Sequence, residues 1–598
     1  MLLGDALTYV SWAERIAGGD WLGTGPFYQA PLYPYVLAAL FAVVGQDLFA
    51  VRLFQALAGA IACGLMTAAG QRFFGRRAGV VSGLLLACYA PAIFFDGLIQ
   101  KSALDLLSFS LLLLAVALLH EDASISRCAL AGASLGFLAM TRENALLLGP
   151  VLLTWLWLRN RKPYPLVLAF LLGCAAVLAP VAIRNQVVSG EVHLTTVQLG
   201  PNFFIGNSDR ANGTYVPLKA GRGNPLFEQR DATELAQRAL GRTLTPGEVS
   251  AYWRYRALEW IGRNPTAWLR LMARKALLFW NRVEAVDTED LATYGDFSPV
   301  LRVLNYFLNF GVLAPIGFLG MFLTRERLRE LWILHGLAVT YFVSVAVFYV
   351  LARYRYPVVP VLVLFAGAAI EKGASWWKNG STRERTSAVA LVAVTAIFCN
   401  WPALPAVKMR GVTHYNVGVR LQQEGRTDEA VREYEEAIRL VPEHANAHSN
   451  LGLLLAGRGE HDKAIWHYRN AIHADPDLAE AHTNLGIELA AAGKSDAALA
   501  EFERAVELDP ESSWAVFNLG TALAQLGDSS RALHWLLLAV RLDPMNATAH
   551  NNLGIVLASV GRLQEAIVEF KLALQLQPGD YGAKANLTRA EAMLSPAR

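Results

Sequence analysis

The chain has 598 residues, 54% of them hydrophobic and 17% charged, which is too apolar for a soluble protein of this length and long enough for several domains. Its net charge of +3 hides two bodies: from Gly411 onward 16 Lys and Arg stand against 25 Asp and Glu, a net −9, so the first 410 residues carry +12. Nothing in this balance asks for a nucleic-acid partner. The five cysteines are odd in number, lack zinc spacing and read as small hydrophobes in helices.

The first 35 residues are an acidic, aromatic-rich loop: Gly4, Asp5 and Tyr9, then Glu14, Trp21 and Phe27-Tyr28-Gln29-Ala30-Pro31-Leu32-Tyr33-Pro34-Tyr35. No basic region with an apolar core and small-residue cleavage site opens the chain, so membrane entry is expected from the spans themselves. Leu32 to Val44 is too short to span, carries Pro31 and Pro34 at its start, and reads as a helix lying in the interface.

Ten apolar runs follow, at about 49–70, 78–95, 102–120, 128–141, 144–158, 164–183, 301–323, 331–350, 356–371 and 386–404. Basic clusters fall at every second short loop: Arg72, Arg76 and Arg77; Arg127; Arg159, Arg161 and Lys162; Arg325, Arg327 and Arg329; Lys372, Lys378, Arg383 and Arg385. The positive-inside rule makes those loops cytoplasmic. The outer face then receives residues 1–48, the 96–101 loop, the long loop of 184–298 and everything after Trp401. In that loop Leu194–Val197 reads as a short strand, Asn202–Asn207 as a packed aromatic loop, and 230–263 and 266–281 as helical.

Arg142 and the pair Arg353 and Arg355 break the charge pattern, because they sit at outer span ends. Charge at that depth needs a partner. One reading is snorkelling or an internal ion pair such as Arg142 with Glu143; the other is an anion site, since guanidinium forks match phosphate oxygens.

From Gly411 the chain repeats every 34 residues. Gly418, Gly452, Gly486, Gly520 and Gly554 are in register, as are Ala430, Ala464, Ala498, Ala532 and Ala566, and Pro442, Pro476, Pro510, Pro544 and Pro578. This resembles the tetratricopeptide pattern five times over, at 411–580, with a capping helix and tail at 581–598. Asn416, Asn450, Asn484, Asn518 and Asn552 recur two residues before the glycines. On the concave face expected of such an array they either hold an extended peptide by its main chain or bond between repeats. His414, His448, His482 and His550 share one register, and 34 residues apart they read as packing residues rather than one metal site.

Asp5 with Tyr9, Trp21 and the Pro31-Leu32-Tyr33-Pro34 run, ahead of many spans, resembles the first outer loop of the GT-C membrane glycosyltransferases. The nearest branch is that of protein O-mannosyltransferases and the lipid A aminoarabinose transferase. The resemblance covers about 1–405 and implies an all-α polytopic domain with interfacial helices, using a polyprenyl-phosphate-linked sugar as donor. It implies Asp5 as the general base, Asp96 as the second acid with Asp105 as fallback, and Arg353 and Arg355, with Lys101 and Arg142 behind them, at the donor phosphate. It implies no divalent metal and no other cofactor, and a bacterial inner membrane with the sites on the periplasmic side. Gln29 stands where some relatives carry a basic residue. The family also places a span ahead of the first-loop acid; only Met1 to Gly4 precede Asp5, so the native start is expected upstream. The expected activity is transfer of a sugar to an acceptor at the outer face, the repeats recruiting a protein acceptor or partner. The alternative is a non-enzymatic membrane-anchored scaffold for complex assembly, in which Asp5 has no role.

Overall fold

The computed structural model describes residues 2–219, 225–286 and 288–594. Among them there are helices and no strands, in keeping with the all-α expectation. The chain divides into two compact units, Met1–Asn416 and Val417–Arg598, a division that falls later than the 405/411 boundary read from the repeats.

The first unit opens with α1 (Asp5–Ala17), where a loop was expected. Its buried residues Ala6, Tyr9, Val10, Ala13 and Ile16 recur at helical spacing, and this stripe packs against α2 (Leu32–Val44) through Tyr33, Leu37 and Phe41. The α2 bounds are those expected of the interfacial helix. α3 (Leu48–Phe74) runs for 27 residues and is followed by α4 (Arg76–Ala87) and α5 (Ala90–Gly97), two halves of one apolar run bent by 51°. Then come α6 (Ser102–Glu121), α7 (Ile125–Ala139), α8 (Leu148–Arg159) and α9 (Pro163–Ser189). A Cβ at Gly132 of α7 would collide with the Phe170 carbonyl of α9, and one at Gly173 of α9 with the Ala129 carbonyl of α7. These two glycines let the backbones approach closely.

The long loop is helical for much of its length: α10 (Leu199–Gly206), α11 (Pro225–Leu240), α12 (Pro246–Arg263) and α13 (Pro265–Trp280). Proline at the first position starts α12 and α13, where its missing N–H is no loss, and Thr245 with Glu248 forms a capping box on α12. Asn202–Asn207, expected as a loop, thus lies mostly in α10. Leu194–Val197, expected as a strand, has no ladder partner; Val197 N–H makes a single bond to the Phe27 carbonyl.

The unit closes with α14 (Leu291–Phe297), α15 (Pro299–Phe307), α16 (Phe310–Leu323), α17 (Leu328–Ala346), the single turn α18 (Ala352–Arg355), α19 (Val359–Asn379), α20 (Thr382–Cys399) and the part of α21 (Ala406–Gln423) that ends at Asn416. Among the described residues six helical segments are long and apolar enough to cross a membrane: Leu48–Phe74, Ser102–Glu121, Pro163–Ser189, Pro299–Leu323, Arg325–Ala346 and Ala352–Asn379. The bent α4 and α5 pair makes a seventh if it counts as one span. The expected ten is therefore corrected. The helices α7 and α8 have 15 and 12 residues, about 22 and 18 Å at 1.5 Å per residue, short of the ~30 Å hydrocarbon layer. The 18 residues of α20 begin with Thr382, Arg383, Glu384 and Arg385. Six spans leave the two ends of the unit on the same side and seven leave them on opposite sides, so the outer placement of everything after Trp401 no longer follows from the count.

The second unit is a regular array of paired helices from Thr427–Leu440 to Leu563–Leu576, closed by Tyr581–Leu594. In each repeat the aligned glycine faces a ring or branched side chain: Gly452 faces Tyr468, Gly486 faces Phe502, Gly520 faces Leu536 and Gly554 faces Phe570. The register histidines pack as expected. The Nε2 atoms of His448, His482 and His550 lie 3.0, 3.1 and 3.1 Å from the carbonyls of Pro442, Pro476 and Pro544, tying each first helix to the end of the preceding one.

Candidate active site

Two charged pairs meet at one end of the first unit. Asp5, in the first turn of α1, and Arg353, in α18, are 348 residues apart in sequence and joined at 2.5 Å. Asp105, in the first turn of α6, accepts from Arg142 Nε at 2.7 Å, and Arg142 Nη2 donates to the Arg353 carbonyl at 2.9 Å. All four side chains are nearly buried, at 9% exposure or less. Buried charges are costly unless paired in this way. Both guanidiniums also lie by the Tyr354 ring, at 4.6 and 5.3 Å from its centroid, while Tyr341 OH donates to the Tyr354 carbonyl at 2.9 Å.

The internal ion pair of Arg142 is thus made with Asp105 and not with Glu143. Glu143 Oε1 instead accepts from Thr196 Oγ1 and Gln198 Nε2, at 2.8 and 2.9 Å. Asp105 lies a turn inside α6 where the Arg142 stem can reach it, whereas its sequence neighbour faces the long loop.

Lys101, the residue before α6, is 7% exposed. Among the described residues its ammonium has no hydrogen-bond or ion-pair partner. Burial, and then the nearby Arg142, bring its pKa down to about 8. Tyr9, buried beside Asp5, is pushed up by burial and by that carboxylate. It stacks edge-on with Tyr33 at 5.3 Å, and Tyr33 OH donates to Gln55 Oε1 of α3 at 2.5 Å. Gln55 Nε2 in turn donates to the Asp96 and Leu98 carbonyls, at 2.8 and 2.5 Å. This chain of contacts fixes α1 against the 96–101 loop that carries Lys101.

The other two expected site residues have surroundings of their own. Arg355 is a strut: its Nη1 donates to the Phe279 carbonyl at 3.1 Å and to the Asn281 carbonyl, its Nη2 pairs with Glu284 at 3.1 Å, and it covers the Phe310 ring at 4.2 Å. Asp96 lies against Gly59 of α3, where a Cβ would strike its carboxylate. Its Oδ1 is buried without a hydrogen-bond partner. A narrow cleft of about 20 Å³ opens beside Arg353, walled by Phe94, Phe95, Gln100, Glu284, Thr288 and Glu289 among others. Glu284, Thr288 and Tyr354 were not singled out from sequence, although Arg353-Tyr354-Arg355-Tyr356 alternates cation and ring in a way that flags Tyr354. Among the described residues no group of three or more His, Cys, Asp or Glu side chains is arranged to hold a metal ion.

The asparagine register splits by environment. Asn450 Nδ2 donates to Tyr434 OH at 3.2 Å, Asn552 Nδ2 to Thr521 Oγ1 of the preceding repeat at 3.1 Å, and Asn518 Nδ2 to the Trp514 carbonyl of its own helix at 2.7 Å. Asn484 is buried. Asn416, in the first unit, donates to the Thr288 carbonyl at 2.9 Å.

Residues 28–183 match the family described as dolichyl-phosphate-mannose-protein mannosyltransferase, and residues 418–479, 483–547 and 537–581 match the tetratricopeptide repeat. No curated protein matches the chain. Solved structures similar to it include YrrB, a tetratricopeptide protein with an unusual peptide-binding site, at 24% identity over 29% of this chain and 90% of that one, TM-score 0.27. PilF of Pseudomonas aeruginosa is similar at 20% identity over 32% and 86%, TM-score 0.30. MamA of Desulfovibrio magneticus RS-1 is similar at 22% identity over 29% and 97%, TM-score 0.26. The chain is thus similar to the dolichyl-phosphate-mannose-protein mannosyltransferase family over residues 28–183 and to the tetratricopeptide repeat from residue 418 to 581.

Proposed function

We propose that the protein transfers a sugar from a polyprenyl-phosphate-linked donor to an acceptor hydroxyl at the outer face of a bacterial inner membrane, with inversion at the anomeric carbon. The observation that carries this reading is Lys101. A nearly buried lysine whose ammonium has no partner among the described residues is unfavourable on its own, and Lys101 lies beside two ion pairs that each hold a carboxylate and a guanidinium. A phosphate oxygen is the partner that the position lacks.

In the step, the Asp5 carboxylate takes the proton from the acceptor hydroxyl as its oxygen attacks the anomeric carbon. The bond from that carbon to the phosphate oxygen breaks, and its electron pair leaves with the polyprenyl phosphate. Lys101 and Arg353 meet the charge that develops there, so no divalent ion is required. Arg353 also holds Asp5 and so ties the base to the phosphate site. Asp105 acts through Arg142, which fixes the Arg353 backbone. The array recruits a protein acceptor or partner.

Purified full-length protein in vesicles with polyprenyl-phosphate mannose and candidate peptide or lipid acceptors tests this. Asp5→Asn is expected to lose transfer by at least on the order of 100-fold, and Lys101→Met by about 10- to 100-fold. Transfer at the parental rate by Asp5→Asn removes the assignment. A reporter fused after Leu594 and scored on both sides of the membrane tests the outer placement of the array.

A further inference from the structure

The cleft wall at residues 284–286 and 288–290 has no regular secondary structure of its own, so its backbone groups need partners from elsewhere. One side is supplied by the site: Ala352 N–H donates to the Ala285 carbonyl at 2.8 Å, one residue before Arg353. The other side is supplied by the first half of α21. Val286 N–H donates to Met409 Sδ at 3.4 Å, Asp290 N–H to Thr413 Oγ1 at 2.8 Å, and Asn416 Nδ2 to the Thr288 carbonyl at 2.9 Å. Arg410 adds a surface pair with Asp296 at 2.7 Å. Further back, the Cys399 and Trp401 carbonyls accept from Arg282 N–H and Asn281 Nδ2, at 2.5 and 2.6 Å.

The wall reaches the base through one contact. The Thr288 methyl occupies the space that a Cβ on Gly4 would need, and Gly4, at φ +50°, is the residue from which α1 and Asp5 start. From the helix inward the order is Asn416, Thr288, Gly4, Asp5, Arg353.

We infer that the first half of α21, through Met409, Thr413 and Asn416, is a positioning element for the Asp5 site. Asn416, first in the asparagine register, is spent on this contact rather than on a peptide. The first half of α21, as far as Asn416, therefore belongs to the unit that carries the site. This inference rests on the reading of Asp5 as the base. Displacement of a catalytic group by about 1 Å costs on the order of 100-fold in rate, so loosening the wall acts on turnover ahead of donor binding.

The test compares full-length protein in vesicles with its Thr413→Val and Asn416→Ala variants, singly and together, using polyprenyl-phosphate mannose and the acceptor that the parent accepts. The double variant is expected to lose about tenfold or more in kcat, with the donor KM within about twofold. Thr413→Ser, which keeps the acceptor oxygen, restores kcat, and Asn470→Ala, on an exposed helix of the array, leaves it unchanged. Hydrogen exchange at the Val286 and Asp290 amides is read on the same samples. Fast exchange there with parental kcat overturns the inference. Where the double variant does not accumulate, Thr413→Val against Thr413→Ser gives the same comparison. If Asp5→Asn is inactive while Thr413→Val and Asn416→Ala are fully active, the positioning role falls and the proposed function stands. If Asp5→Asn is active, the proposed function falls instead.

Discussion

Raising the pH from 7 to 9 takes Lys101 through its transition. With its pKa held down to about 8 by burial, the charged and neutral forms stand at about 10 to 1 at pH 7 and about 1 to 10 at pH 9. A side chain that must be cationic to meet the donor phosphate is therefore present below that pKa and lost above it. The contact it makes is a hydrogen bond to a charged group, worth roughly 1.5–3 kcal/mol, or about 10- to 150-fold in affinity. We expect kcat/KM for the polyprenyl-phosphate donor to fall by about tenfold between pH 7 and 9, the free enzyme's pKa being the one that this quantity reports. A bound phosphate favours the ammonium and moves the same limb of kcat to higher pH. The assay is initial-rate transfer across that range for the parent, Lys101→Arg and Lys101→Met. The arginine variant flattens the limb, because its charge persists, and the methionine variant loses about 10- to 100-fold at pH 7 and is flat thereafter. An alkaline limb of unchanged shape in Lys101→Met would assign the titration to another group and refute the reasoning.

Removing one member of the second pair is expected to cost stability as well as rate. Asp105→Ala leaves the Arg142 guanidinium buried and unpaired, at about 3–5 kcal/mol, read as a lowered unfolding midpoint in detergent titration, whereas Asp105→Asn keeps an acceptor and loses less. In the array, Gly486→Ala brings a Cβ to 2.6 Å from Phe502 Cε1, and Phe502 is 2% exposed and has no room to retreat. Overpacking of roughly 1–3 kcal/mol outweighs the helix gain of about 0.5–1 kcal/mol, so a thermal melt followed by circular dichroism is expected to shift down; an unchanged or raised midpoint goes against this packing. Acid is expected to loosen the 441–470 hairpin. Burial holds His444 and His467 down to about 4 and lowers His448, while the unfolded chain takes up protons near 6.5. Stability there is intact above about 6.5 and falls as pH drops toward 4, on the order of tenfold per unit for each titrating group, measurable as hydrogen exchange corrected for its intrinsic pH dependence.

The repeats were legible because their information is local. A 34-residue period places glycine, alanine and proline where two short helices must approach, and every repeat carries the same rule, so Gly452, Gly486 and Gly554 each face a ring. The α2 helix, bounded by Pro31 and Gly45, was legible for the same reason. Counting spans fared worse, since hydropathy runs do not reveal where a helix ends or bends, as α4 and α5 do at 51°.

The sequence by itself determined that this is a helical membrane domain joined to a repeat array, and that Arg142, Arg353 and Arg355 are charges out of place for lipid. Which charge meets which was decided only by the tertiary structure. Asp5 found Arg353 across 348 residues, Arg142 took Asp105 over its neighbour Glu143, Arg355 became a strut, and Lys101 was left without a partner among the described residues. Asn416, identical in register to four other asparagines, was drawn to the Thr288 carbonyl instead. Apolar patterning acts over one or two helical turns and is written in consecutive residues. An ion pair depends on a few ångströms between side chains whose positions are set by every helix that packs between them.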